Sequence, residues 1–191
     1  MTETGETAGV RHRGIMTGAG SAVNTMRAGP NALGIYLNDH LAGATAGAEL
    51  ARRAAGSTRD REEHAALRDF AAEVAQDRAA LLDTMAALGI PVRTYKVCAA
   101  WIGEKAGRLK LNGRLFTRSP LSRLEELELL RLGVEGKAAG WRTLRVLADT
   151  DERLDRVRLD ELIARARRQA DFLEDLRVRA AEWLIRLEGN P

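Results

Sequence analysis

From Ala32 to Leu187, apolar residues recur at intervals of three and four along stretches rich in Ala, Leu and Arg. That spacing lines one face of an α-helix. Gly56-Ser57-Thr58 ends a first helix over about 32–55 and caps a second over about 60–88. Gly89-Ile90-Pro91 stops the second, because glycine permits a left-handed exit and proline cannot continue the hydrogen-bond ladder. Ser119-Pro120 opens a third helix to about 148, and Asp149-Thr150-Asp151 turns the chain into a fourth that reaches Leu187. Between them, over about 89–120, lies a connection too long for a hairpin loop, with a short helix expected over 95–106 and a turn at Asn112-Gly113. The expected fold is all-α, a four-helix bundle of two antiparallel hairpins joined by a long crossover that contains a short helix. A helix of about 28 residues is ~42 Å long, a distance that about 30 connecting residues can span.

Composition narrows the alternatives. β-Branched and aromatic residues are too scarce for a sheet-rich fold. The single cysteine, Cys98, excludes an internal disulfide framework and any multi-cysteine metal site, and its neighbours Val97, Ala99 and Ala100 suggest a buried thiol. No apolar run approaches the ~20 residues of a membrane-spanning helix, and residues 1–30 lack the apolar core of a signal peptide, which points to the cytoplasm. Residues 1–30, rich in Gly, Thr, Ala and Ser, read as a flexible tail, and residues 31–191 as the bundle domain.

The apolar stripes are broken at a few positions. In the second helix Leu67, Phe70, Val74, Leu81, Met85 and Leu88 leave one heptad position to Asp77. In the fourth, Leu159, Leu162, Ala166, Leu173, Leu176, Ala180, Trp183 and Leu187 are interrupted by Gln169. His40 lies among Leu33, Leu37, Ala44 and Gly47 of the first. The third helix is apolar nearly all round and so is expected to be central, with Glu128 and Glu135 on the flank that carries Leu121, Leu124, Leu132, Ala139 and Val146. Measured from the two short turns, His40, Asp77, Glu135 and Gln169 fall near mid-bundle, where they could share a layer with Glu73 at its edge. Bundles place metals in such layers, but buried polar residues also pair simply to fix helix register.

The hairpin order, the crossover and the run Phe70-Ala-Ala-Glu73-Val-Ala-Gln76-Asp77 continuing to Met85-Ala-Ala-Leu88-Gly89 resemble the ferritin-like superfamily, including its rubrerythrin-like members. The resemblance implies a carboxylate-bridged pair of iron or manganese ions, held by one glutamate from each of two helices and Glu-x-x-His from each of the other two. Glu73 matches the glutamate of the first such motif, with Gln76 in place of its histidine, and Glu135 matches the lone glutamate of the third helix. Gln169 and Phe172 replace glutamate and histidine in the fourth, and Glu49 of the first projects opposite the Leu37/Ala44/Ala51 face. The chain thus resembles a degenerate member without the complete diiron set. Neutral glutamines do not balance the ~+4 of two divalent ions. A mononuclear site from His40, Glu73, Asp77 and Glu135, holding iron, manganese or zinc, is the metal-binding alternative.

Residues 93–118 carry Arg93, Lys96, Lys105, Arg108, Lys110, Arg114 and Arg118 against the single acid Glu104. That local excess is larger than the net +3 of the whole chain and suits an anionic lipid surface, phosphate or nucleic acid. The alternative is a strap whose apolar residues pack on the bundle. Gly43-x-x-x-Gly47, Gly133, Gly136 and Gly140 lie inside helices, where glycine is costly unless backbones approach closely. His64 is expected to face solvent, and Trp101, Trp141 and Trp183 to anchor the core. The first reading is a non-catalytic bundle without a cofactor that works by binding or assembly, as a homodimer or with a protein partner. A degenerate metal enzyme or store and an anion-docking protein are the alternatives.

Overall fold

The computed structural model describes residues 32–58, 60–93 and 120–189. Among the described residues the chain forms four α-helices and no strand: α1 (Ala32–Ser57), α2 (Arg61–Ala87), α3 (Pro120–Leu147) and α4 (Arg156–Glu188). None of these helices is long and apolar enough to cross a membrane. The tail over 1–30, and the short helix and turn expected between 95 and 113, lie outside the described residues.

Local chemistry sets the helix ends. The Asp60 side chain accepts a 2.8 Å hydrogen bond from the Glu63 amide, with Glu62 and Glu63 in the first turn of α2, where carboxylates complement the helix dipole. At the other end Gly89 takes φ +67°, which lets the Ile90 amide donate to Met85 O at 2.9 Å. The fourth helix starts later than the Asp149-Thr150-Asp151 signal suggests. Asp151 accepts from the backbone and guanidinium of Arg153, contacts that hold its carboxyl down at about 2 and shape a tight turn. Asp155, not Asp151, therefore caps α4, accepting from the Arg158 amide at 3.0 Å.

Contacts at both ends define how the helices run. Asn38, near the start of α1, is buried and donates to Pro91 O past the end of α2, while His64 Nδ1, at the start of α2, lies 2.8 Å from Ala55 O near the end of α1. His64 is therefore half-buried against its neighbour and does not simply face solvent. Arg145–Asp160 and Arg131–Glu174 set α3 against α4 in opposite directions. Tyr36 Oη donates to Thr143 Oγ1, joining α1 to α3. Arg123–Glu63 near one end and Lys137–Asp77 further along show that α2 and α3 run the same way.

The core divides in two. One cluster gathers Leu67, Phe70, Val74, Leu127, Leu130, Val134 and Leu173; the other gathers Leu37, Leu41, Leu81, Met85, Trp141, Leu144 and Leu162. All of the apolar stripe read for the second helix is buried, as is Asp77 within it. The stripe of the fourth helix is buried only through Leu176, and Trp183 is 51% exposed. The cause is length: the contacts Arg165–Gln76 and Phe70–Phe172 place the first turn of α2 level with about residue 181, so the last turns of α4 pass beyond it. Nor is the third helix surrounded. Its buried face is Leu127, Leu130, Val134, Ala138, Trp141 and Leu144, whereas Leu132 is 66% and Val146 72% exposed.

Candidate functional site

Asp77 sits between Val74 and Leu81 on the buried face of α2, so its carboxylate enters the interior where the two core clusters meet. An ionised carboxylate there needs opposite charge and hydrogen bonds. Both are present. Lys137 of α3 extends its ammonium to 2.5 Å from Asp77 Oδ2, and Arg165 of α4 brings Nη2 to 2.5 Å from Asp77 Oδ1. Gln169 of α4 completes the layer, accepting from Lys137 Nζ and donating to Glu73 Oε2 at 2.9 Å and to Asp77 Oδ2 at 3.2 Å. Arg165 Nη1 donates to Gln76 Oε1 at 3.1 Å. Its contact with Asp77 is a charge pair without hydrogen-bond alignment, which leaves Asp77 Oδ1 and Arg165 Nη2 short of aligned partners.

The two carboxylates, Glu73 and Asp77, face the two cations, Lys137 and Arg165, so the layer is formally neutral. Burial pushes the Lys137 ammonium below the ordinary lysine range, and the neighbouring Asp77 charge and hydrogen bond oppose that shift. The arrangement locks α2, α3 and α4 at one height. It does not fit a divalent ion, because the positions around Asp77 that a metal would need filled by anions are filled by an ammonium and a guanidinium. No group of three or more His, Cys, Asp or Glu that could hold a metal occurs among the described residues.

Of the residues expected in this layer, Asp77, Gln169 and Glu73 meet. Two do not join them. Glu135 is exposed, because the apolar flank on which it lies is the one α3 turns to water. His40 belongs to a different contact: its Nδ1 lies 3.1 Å from Tyr36 O, its ring packs 4.3 Å from that of Tyr36, and its edge rests against Gly140. A Cβ at Gly140 would come within 2.5 Å of His40 Cδ2, so here a helical glycine does mark a close approach. The expectation fails at Gly43, Gly47, Gly133 and Gly136, where an added Cβ meets nothing within 4 Å.

The basic segment is represented only by Arg93, whose amide donates to Asn38 Oδ1 at 2.7 Å; Lys96, Lys105, Arg108, Lys110, Arg114 and Arg118 lie outside the described residues. Asn38 was not expected as a structural residue, yet it clips the chain leaving α2 to α1 through Pro91 O and the Arg93 amide. Lys137 and Arg165 were missed as well. Lys137 was findable, since it interrupts Leu130, Val134, Trp141 and Leu144 as Asp77 interrupts its own stripe. No protein-family profile, curated protein or solved structure matches the chain.

Proposed function

We propose that the chain is a non-catalytic helical-bundle protein that works by binding or assembly. In this reading it follows a ferritin-like plan without the diiron ligands, with two antiparallel helix pairs joined by a long crossover over about 89–120. The parallel course of α2 and α3 supports the crossover, because a chain leaving one end must return along the bundle to start again in the same direction. The observation that carries the functional reading is the neutral Asp77–Lys137–Arg165–Gln169–Glu73 layer, in which Asp77 is committed to two protein cations and Glu73 accepts from Gln169. A buried charge network of this kind specifies register and leaves the surface to do the work. The test is elemental analysis of the purified chain before and after reconstitution with iron, manganese and zinc. The expected result is substoichiometric metal in every sample. Stoichiometric metal that Asp77→Ala abolishes would return the reading to a degenerate metal-binding protein or oxidase.

A further inference from the structure

The exposed side of α3 carries Leu129, Leu132, Gly136, Ala139, Thr143 and Val146, spaced alternately by three and four residues. This is the spacing of a helix seam that packs against another helix. Leu129 is 40%, Leu132 66% and Val146 72% exposed. At the middle of the row the side chains are small, and an added Cβ at Gly136 meets nothing within 4 Å. The neighbouring α1 carries glycines at the same heights. Because His40 is level with Gly140, Gly43 is level with Gly136 and Gly47 with Gly133, and Gly43, Gly47 and Gly133 also have open space where a Cβ would be. The exposed row of α3, with Leu129, Leu132 and Val146, is thus bordered by glycines of both helices that have open space where a Cβ would be.

We propose that this exposed row of α3 packs against the same row of a second copy of the chain, antiparallel about a two-fold axis between Gly136 and Ala139. The inference rests on the assembly reading above and names its partner. The spacing of the row is symmetric about that axis, so each residue i faces j of the other copy and j faces i, as in an isologous contact. Leu129 meets Val146 of the other copy, Leu132 meets Thr143, and Gly136 meets Ala139, with the smallest residues on the axis where the helices come closest. Charge selects the direction. Glu135 and Arg142 flank the row one heptad apart, both exposed, and neither has an ion pair or hydrogen bond among the described residues. Antiparallel pairing sets each Glu135 against the other copy's Arg142, twice per dimer. A parallel pairing in register would set that flank against Gly133 and Gly140 of the other copy and form no such charge pair.

The test is the sedimentation behaviour of the full chain. The expected species is a dimer at about 10 μM, which Leu132→Asp and Val146→Asp convert to a monomer of unchanged helical circular dichroism. Glu135→Arg and Arg142→Glu should each raise the dissociation constant about fivefold or more, and the two together should restore it. A monomer at about 100 μM, or a dimer indifferent to Leu132→Asp or not rescued by the double charge exchange, overturns the proposal. Metal content of the same samples separates the two readings. A dimer that binds stoichiometric metal sinks the non-catalytic reading alone, and a metal-free monomer sinks the two-fold contact alone.

Discussion

Glu135 and Lys137 stand two residues apart on α3, and the bundle treats them in opposite ways. Glu135 is exposed and makes no ion pair among the described residues, whereas the Lys137 side chain is 15% exposed and binds Asp77 and Gln169. Residues two apart point to different sides of a helix. Both kinds of side chain prefer water, so polarity does not sort them. What sorts them is the partner each face finds. The Lys137 face meets a carboxylate on α2 that would be costly to leave alone, and the Glu135 face meets no neighbour within the chain as described.

The comparison breaks most sharply at Asp77. Asp77→Ala leaves Lys137 and Arg165 buried without their shared anion, and should lower the unfolding free energy by about 3–5 kcal/mol. Glu135→Ala should change it by less than about 0.5 kcal/mol in urea titrations at low protein concentration, where association contributes least. Similar losses for the two variants would mean that α3 is rotated from the orientation described.

Glycines on the two sides of α3 provide a second contrast. Gly140→Ala drives a methyl group against the His40 ring, which is held by Tyr36, and should cost about 1–3 kcal/mol. Adding His40→Ala should recover most of that loss. Gly133→Ala enters open space in a helix interior and should stabilise by about 0.5–1 kcal/mol. Thermal melts of the set would expose a misplaced α1 if Gly140→Ala proved as harmless as Gly133→Ala.

The smallest effect is in the pH profile. Burial holds the proton affinity of Lys137 below that of the unfolded chain, where lysine titrates near 10.5. As pH approaches 10.5 from below, the folded form binds fewer protons than the unfolded form, so this group makes stability rise with pH through that window. Lys137→Met should remove that rise. Equal slopes in the two proteins between neutral pH and 10 would show that the ammonium is better solvated than its place beside Asp77 and Gln169 implies.

How far the site was legible depended on how clearly each helix revealed its face. In α2 every apolar residue of the stripe falls on one side, so a single misfit, Asp77, stood out and proved buried. Gln169 stood out for the same reason in α4. In α3 two flanks are apolar, one carrying Leu130, Val134 and Trp141, the other Leu132, Ala139 and Val146. Periodicity alone could not choose between them. The flank with Glu135 satisfies the same spacing as the flank with Lys137, and the latter is the inner one. The place of His40 is equally hidden from periodicity, since its seat beside Gly140 depends on how closely α1 approaches α3.

By itself the sequence determined the four helices, most of their ends and the buried face of α2, because caps, glycine exits and single-sided periodicity are properties of neighbouring residues in one chain segment. Tertiary structure alone decided which face of α3 is wet, where α4 outruns its neighbours, and that Asp77 is answered by Lys137 and Arg165. Those outcomes depend on the rotation and height of one helix against another. Both are set by the sum of contacts across helices, a sum that no segment contains within its own period.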